Sequence, residues 1–248
     1  MKEENNRVLI IIPAYNEEHN LEKVMKGLRA YDVFSFADIL IIDDASGDGT
    51  AEIALRNQAR CIRFPYNLGY GNALQTGYKY ARRHGYPYVI QMDADGQHDP
   101  CNIERIYRTL CSAEDDADIV LAGRFLEGSS PYKTGLVMKL AFWWFRTLIR
   151  CMGGLHVMDS TTGLQGLKRR AFSCYAGFDH FDSDYPDSNM ILQMALLGFK
   201  IKQIPAVMHH RESGKGMHAG LLRPARYMFR STTAVFAVWL RSLAKTEA

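Results

Sequence analysis

The stretch Val89-Ile90-Gln91-Met92-Asp93-Ala94-Asp95-Gly96-Gln97-His98-Asp99-Pro100 decides how the rest of the chain is read. A short apolar run, of the kind a buried strand shows, opens directly onto the carboxylates of Asp93, Asp95 and Asp99. Two carboxylates one residue apart at a crowded strand end cannot both stay ionised unless a cation or strong donors compensate them. A hard divalent ion bridging a diphosphate meets that need, because Mg²⁺ and Mn²⁺ prefer oxygen ligands and take only one or two of them from protein. Asp95 and Gln97 are the leading ligand candidates, with Asp93 reaching the ion or a sugar. Asp99 before Pro100 reads as a helix cap, and His98 beside that helix start reads as structural.

Upstream and downstream, further β-type runs lie at residues 8–12, 39–42, 61–64 and 119–122, and this strand itself spans 88–92. Helical patterns alternate with them at 17–30, where Leu21, Val24, Met25 and Leu28 share one face, at 51–58 and at 71–83. The alternation predicts an α/β fold with a largely parallel sheet, and the continuous Val/Ile/Leu content of the first two runs marks them as central strands buried on both faces.

In open α/β sheets, ligands gather beyond the carboxyl ends of the strands, where each polar motif of this half falls. Pro13 ends the first ladder, Tyr15 offers a ring to a base and Glu17 a carboxylate to a ribose or base; a plain strand-to-helix turn capped by Asn16 would also account for the segment. One carboxylate of Asp43-Asp44 is placed to accept from a base N–H or a ribose hydroxyl, while Asp48-Gly49-Thr50 reads as turn and helix cap. Gly69-Tyr70-Gly71 begins a GxGxxG-like pattern that breaks at Leu74 and follows Asn67-Leu68, not a strand end, so a nicotinamide-dependent oxidoreductase is a poor reading.

The second half is less regular, with helical candidates at 136–150 and 221–245 and a strand near 199–204. Residues 209–218 form a cationic segment whose Arg211 and Lys215 suit closure over a diphosphate. The helix at 136–150 carries Trp143, Trp144 and Phe145 with Lys139, Arg146 and Arg150 along one face; the last helix aligns Arg223, Arg226 and Arg230 beside Phe229, Phe236 and Leu240. Such helices lie in a membrane interface or pack on the core.

The chain has 248 residues, 47% hydrophobic and 23% charged, and a formal net charge of +3, which excludes disorder and gives no reason to expect a nucleic-acid partner. Five scattered cysteines without CxxC spacing read as free thiols of a reducing compartment. The polar N-terminus lacks the pattern of a signal peptide, and no apolar run reaches the length of a spanning helix, so a cytoplasmic location, peripheral on the membrane's cytoplasmic face, is expected.

Four ordered motifs, Pro13-Ala14-Tyr15-Asn16-Glu17, Asp43-Asp44-Ala45-Ser46-Gly47-Asp48-Gly49-Thr50, Asn67-Leu68-Gly69-Tyr70-Gly71-Asn72-Ala73 and Asp93-Ala94-Asp95-Gly96-Gln97-His98, resemble glycosyltransferase family two. The resemblance covers residues 7–218 and points to the branch of dolichyl-phosphate mannose synthases and bacterial polyprenyl-phosphate glycosyltransferases. It implies a GT-A, Rossmann-like fold with Pro13, Tyr15, Glu17 and Asp44 at the nucleotide and Asp93, Asp95 and Gln97 around metal and diphosphate. It also implies that Arg124 meets an acceptor phosphate, that residues 159–163 are the Asp-x-x-x-Gly segment near the acceptor, and that Asp187 is the acidic catalytic residue. Arg211 and Lys215 stand closer together than the family's pyrophosphate-binding arginine and lysine.

The implied reaction is an inverting transfer of a hexose from a UDP- or GDP-sugar to a lipid phosphate, with Mg²⁺ or Mn²⁺ stabilising the leaving diphosphate. A glycan hydroxyl as acceptor and a noncatalytic nucleotide-sugar-binding scaffold are the alternatives. The expected organisation is a catalytic domain over residues 1–218 and a C-terminal amphipathic helix over 219–248.

Overall fold

A computed structural model describes residues 8–132, 134–177, 181–209 and 222–246. Its centre is a seven-stranded sheet in the order β3-β2-β1-β4-β6-β5-β7. The strands are β1 (Val8–Ala14), β2 (Ala37–Asp43), β3 (Arg60–Arg63), β4 (Tyr88–Gln91), β5 (Ile119–Gly123), β6 (Gln165–Lys168) and β7 (Ile201–Pro205). The helices are α1 (Glu18–Ala30), α2 (Thr50–Arg56), α3 (Tyr70–Arg83), α4 (Cys101–Cys111), α5 (Leu136–Gly153), α6 (Arg169–Tyr175), α7 (Ser188–Leu196) and α8 (Leu222–Thr246).

The expected apolar runs become the strands, and β1 and β2 are central and buried on both faces, as their unbroken Val/Ile/Leu content requires. Val8, Ile10 and Ile12 point into one core layer with α1, α2 and α4. Leu9 and Ile11 point into the other, with α3, α5, α6, α7 and α8. β1 pairs in parallel with β2 and β4, and β5 with β7, so their carboxyl ends share one edge.

β6 is the exception, antiparallel to both β4 and β5, and no apolar run or alternation marks it. Its four residues include one large apolar side chain, Leu167, and Gly166 is needed because a Cβ there would stand 2.2 Å from Ile106 Cγ2 of α4. Helices α6 and α7 have no counterpart in the sequence reading: α6 is only seven residues long, too short for a period to show, and α7 is nearly uniformly buried, without the polar face that periodicity detects. The start of α1 differs too: Asn16 adopts φ 54° and accepts from the Gly47 amide at 2.8 Å, so it does not cap the helix.

α8 packs on α5 and α7 and contributes Val235 and Val238 to the core. Its other face leaves Phe229, Phe236, Leu240 and Leu243 exposed beside Arg226, Arg230 and Arg241. α5 likewise buries Phe142, Phe145 and Ile149 while exposing Leu136, Leu140 and Trp143. The cationic stripe expected on α5 is interrupted, because Arg146 turns inward to donate to the Met158 carbonyl at 2.5 Å. Among the described residues, no helix is long and apolar enough to cross a membrane. All five cysteines are free.

Candidate active site

The loops after β1 and β2 are stitched together before any ligand enters. Asn16 N donates to Ser46 Oγ at 2.9 Å, Glu17 N to Thr50 Oγ1 at 3.0 Å, and Glu18 accepts from the Gly49 amide at 2.9 Å. This leaves Tyr15 half exposed on the rim, while Glu17 accepts from Asn20 Nδ2 at 2.6 Å. Pro13 does not stop the ladder as expected: it pairs opposite Ile42 and the parallel register with β2 continues to Ala14 opposite Asp43, because pairing with β4 has already ended at Ile11 and the missing N–H breaks no bond there.

Asp43 and Asp44 are both buried and both hold backbone. Asp43 Oδ1 accepts from Ser46 N at 2.9 Å, and Arg63 Nε lies 3.1 Å from Oδ2, in ion-pair range but off hydrogen-bond alignment. Asp44 accepts from the Leu68 and Gly69 amides at 2.6 and 2.9 Å, one on each oxygen, which shapes the turn into α3. Gly69 there has φ 93°, and Gly71 lets α3 approach the backbone of residues 182–183: a Cβ on it would meet Ser183 O at 2.3 Å. The two glycines thus serve chain geometry, not a dinucleotide.

Past the end of β4, Asp93 is fixed from three sides. The Tyr70 hydroxyl donates to Oδ1 at 2.9 Å, His98 Nε2 lies 3.2 Å from Oδ2, and Gly163 leaves the space that a Cβ, 2.0 Å from Oδ2, would fill. Burial works against ionisation of Asp93, but the His98 and Tyr70 hydrogen bonds and the charges of His98 and Arg124 outweigh it, holding the carboxyl below its usual range. Tyr70 is pushed the other way by burial and by Asp93, so it remains a phenol and a donor. Asp95 accepts from the Gln97 amide at 3.0 Å around Gly96 at φ 75°, and Gln97 Nε2 reaches Tyr132 Oη at 3.3 Å. Asp99 accepts from the Cys101 amide at 2.8 Å, the helix-start role expected of it.

At the end of β5, Arg124 is clamped by Asp159, with Nε to Oδ2 at 2.6 Å and Nη2 to Oδ1 at 2.7 Å, and Nη2 also reaches Thr161 Oγ1 at 2.8 Å. Phe125, Tyr132 and Phe142 surround the guanidinium at 5.6, 5.6 and 5.1 Å. Burial works against its charge, yet the Asp159 pair raises its proton affinity above the ordinary value. Asp159 and Gly163 therefore have separate duties, one holding Arg124 and the other making room for Asp93.

Asp93, Asp95, Gln97, Arg124 and Asp187 all line one cavity of about 500 Å³. Its lining combines these polar groups with an apolar set, Met138, Ala141, Phe142 and Phe145 of α5 with Met208, and Phe142 meets the Arg124 guanidinium. Asp187 sits before α7, where burial drives its carboxyl up to about 6 against a hydrogen bond from Tyr227. Pro13, Tyr15, Glu17, Asp43 and Asp44 do not line this cavity and stand at the neighbouring strand ends. Arg211 and Lys215 lie outside the described residues.

Among the described residues, no group of three His, Cys, Asp or Glu side chains is arranged to hold a metal by itself. The donors here are the hard oxygens of Asp93, Asp95 and Gln97, a set suited to a cation that completes its shell from substrate phosphates. The sequence did not single out Tyr70, Tyr132 or Tyr227 for a role. Tyr70 stood inside a quoted motif, whereas nothing marked Tyr227 among 13 tyrosines.

A family model described as glycosyl transferase family 2 matches residues 9–176. The chain is 30% identical over 226 residues to an undecaprenyl-phosphate mannosyltransferase of Micrococcus luteus, covering 86% of this chain and 88% of that one. It is 29% identical over 231 residues to a polyprenol monophosphomannose synthase of Mycolicibacterium smegmatis, covering 86% and 82%. Glucosyl-3-phosphoglycerate synthase from Mycobacterium tuberculosis, solved in complex with Mn²⁺ and UDP-glucose, superposes with a TM-score of 0.68 at 20% identity, covering 94% of this chain and 79% of that one. That likeness establishes the fold as GT-A.

Proposed function

This chain belongs to glycosyl transferase family 2 and is a glycosyltransferase, and on that premise we propose that it moves a hexose from a UDP- or GDP-sugar to a polyprenyl phosphate with inversion. The observation that carries the acceptor class is the mixed lining of the cavity: the ionic groups of Asp93, Asp95, Arg124 and Asp187 share it with apolar side chains of α5, a helix that also exposes Leu136, Leu140 and Trp143. A phosphate attached to a hydrocarbon chain matches both kinds of lining, and the named activities of the Micrococcus and Mycolicibacterium relatives agree with it.

In this reading Pro13, Tyr15, Glu17 and Asp44, with Asp43 behind them, shape the nucleotide site. Asp95, Gln97 and Asp93 would hold Mg²⁺ or Mn²⁺, which supplies charge neutralisation for the departing nucleoside diphosphate. Arg211 and Lys215 are assigned to the same diphosphate. Arg124, preset by Asp159, meets the acceptor phosphate. Asp187, pushed up to about 6, is matched to the second ionisation of a phosphate monoester, also about 6, so it accepts that proton at little cost as the phosphate oxygen attacks.

Residues 1–218 form the catalytic domain in this proposal, and α8 within 219–248, with the outer face of α5, rests on the lipid surface. The decisive test is isothermal titration with UDP and GDP, each with Mn²⁺ or EDTA, on the wild type and on Asp95→Ala. Binding that needs Mn²⁺ and is lost in the variant is expected and selects the base. Tight metal-independent binding, or none to either nucleotide, would overturn the metal-dependent donor site built on Asp95.

A further inference from the structure

We propose that Tyr227 is a positioning residue for Asp187, which makes α8 a wall of the reaction site. Asp187 occupies the N-cap position of α7 with φ −112° and ψ −116°, yet its side chain makes no cap hydrogen bond. It turns instead toward the cavity, where Oδ2 accepts from the Tyr227 hydroxyl at 2.7 Å.

The direction of that hydroxyl is fixed by packing. The Tyr227 ring stands edge-on to Phe145 of α5 at 6.3 Å and to Tyr185 at 5.4 Å. One turn along α8, Arg230 lies 2.6 Å from Asp184 and 5.8 Å over the Tyr185 ring, so α8 meets the 184–187 segment at both ends. The Arg230 pair is exposed and contributes little by itself, whereas Tyr227 is the donor reaching the cavity.

The charged and titratable groups facing Asp187 are Tyr227 from α8, Tyr70 from α3, Asp93 beyond β4, Arg124 at the end of β5, and Asp182 in its own loop. Burial, Asp93 and Asp182 disfavour its charge, and Tyr227 and Arg124 favour it. Burial and the adjacent Asp187 also hold the Tyr227 phenol well above its ordinary ionisation, so it donates throughout the working range and is not itself the base. The same helix exposes Phe229, Phe236, Leu240 and Leu243 outward, so a displacement of α8 at a surface reaches Asp187 through one hydrogen bond.

This inference rests on Asp187 being the proton acceptor, and the experiment separates the two. Tyr227→Phe keeps the ring and its packing, and an unchanged thermal melt verifies the fold. Removing a donor to a charged acceptor should lower kcat about 10- to 100-fold near pH 6, with KM for both substrates within about two-fold. The acid limb of kcat should move to higher pH, a shift that a merely structural role would not produce. Wild-type kcat and an unmoved limb in Tyr227→Phe, alongside an inactive Asp187→Asn, would overturn the role of Tyr227 alone. Full turnover in Asp187→Asn would instead remove the proton-acceptor reading and the inference with it.

Discussion

The carboxylate of Asp93 has almost no freedom, and one hydrogen atom on Gly163 is part of the reason. A Cβ at 163 would stand 2.0 Å from Oδ2 and 2.7 Å from Cγ, so any side chain forces the carboxylate off Tyr70 and His98. Gly163 is not at positive φ, so alanine fits its backbone and the clash is confined to the site. We expect Gly163→Ala to melt within a few degrees of wild type and to lose about 100-fold in turnover, the scale on which a displacement of about 1 Å costs an oriented reaction. Parallel calorimetry and initial rates check it; equal rates would mean that Asp93 can move without consequence. The sequence brought Asp159 and Gly163 forward only through a family resemblance. The reason for each lay in partners far along the chain, Arg124 and Asp93, which no local pattern discloses.

Elements set the spacing between these residues, and a close backbone junction joins the start of α3 to the segment before α7. Asp44 holds the Leu68 and Gly69 amides, and Gly71 brings α3 against Ser183, where a Cβ would lie 2.3 Å from a backbone oxygen. Backbone cannot rotate away as a side chain can, so Gly71→Ala should push residues 182–187 outward and carry Asp187 with them. Nucleotide affinity, held by the loops after β1 and β2, should stay within about three-fold, while kcat/KM for the acceptor falls at least about ten-fold. Comparing titration with acceptor kinetics tests this, and an equal loss in both would place residue 71 in the donor site. Legibility at this scale followed burial. β1, β2 and β5 announced themselves by unbroken apolar runs, and the motifs at their ends were visible because polar residues there interrupt those runs. β6 was hidden because Gly166 and Leu167 give no period, and α7 because its nearly uniform burial leaves no polar face. Tyr227 was hidden differently: its helix was foreseen as an amphipathic surface element, and only the packed fold turns that face toward Asp187.

For the molecule as a whole, the site opposes stability. The folded protein raises Asp187 from the usual 3.8 to about 6, chiefly by burial, so between those values the native state keeps a proton that the unfolded chain has released. Stability rises with pH only where the unfolded state binds more protons, and here the native state binds more. The contribution of Asp187 is therefore greatest below pH 3.8 and is lost as pH rises through about 6. Turnover has the opposite demand, since a proton acceptor must be ionised, so activity climbs through the same interval in which this contribution disappears. Asp187→Asn separates the two effects. The variant should be more stable than wild type at pH 7 by roughly 1–3 kcal/mol, with the difference shrinking toward pH 4, because no charge has to be buried. Its turnover should be low and without the rise near pH 6. Denaturant unfolding at several pH values, run beside rate profiles, measures both. A variant less stable than wild type at pH 7 would mean that the ionised carboxylate is satisfied by Tyr227 and Arg124 and that the site exacts no stability from the fold.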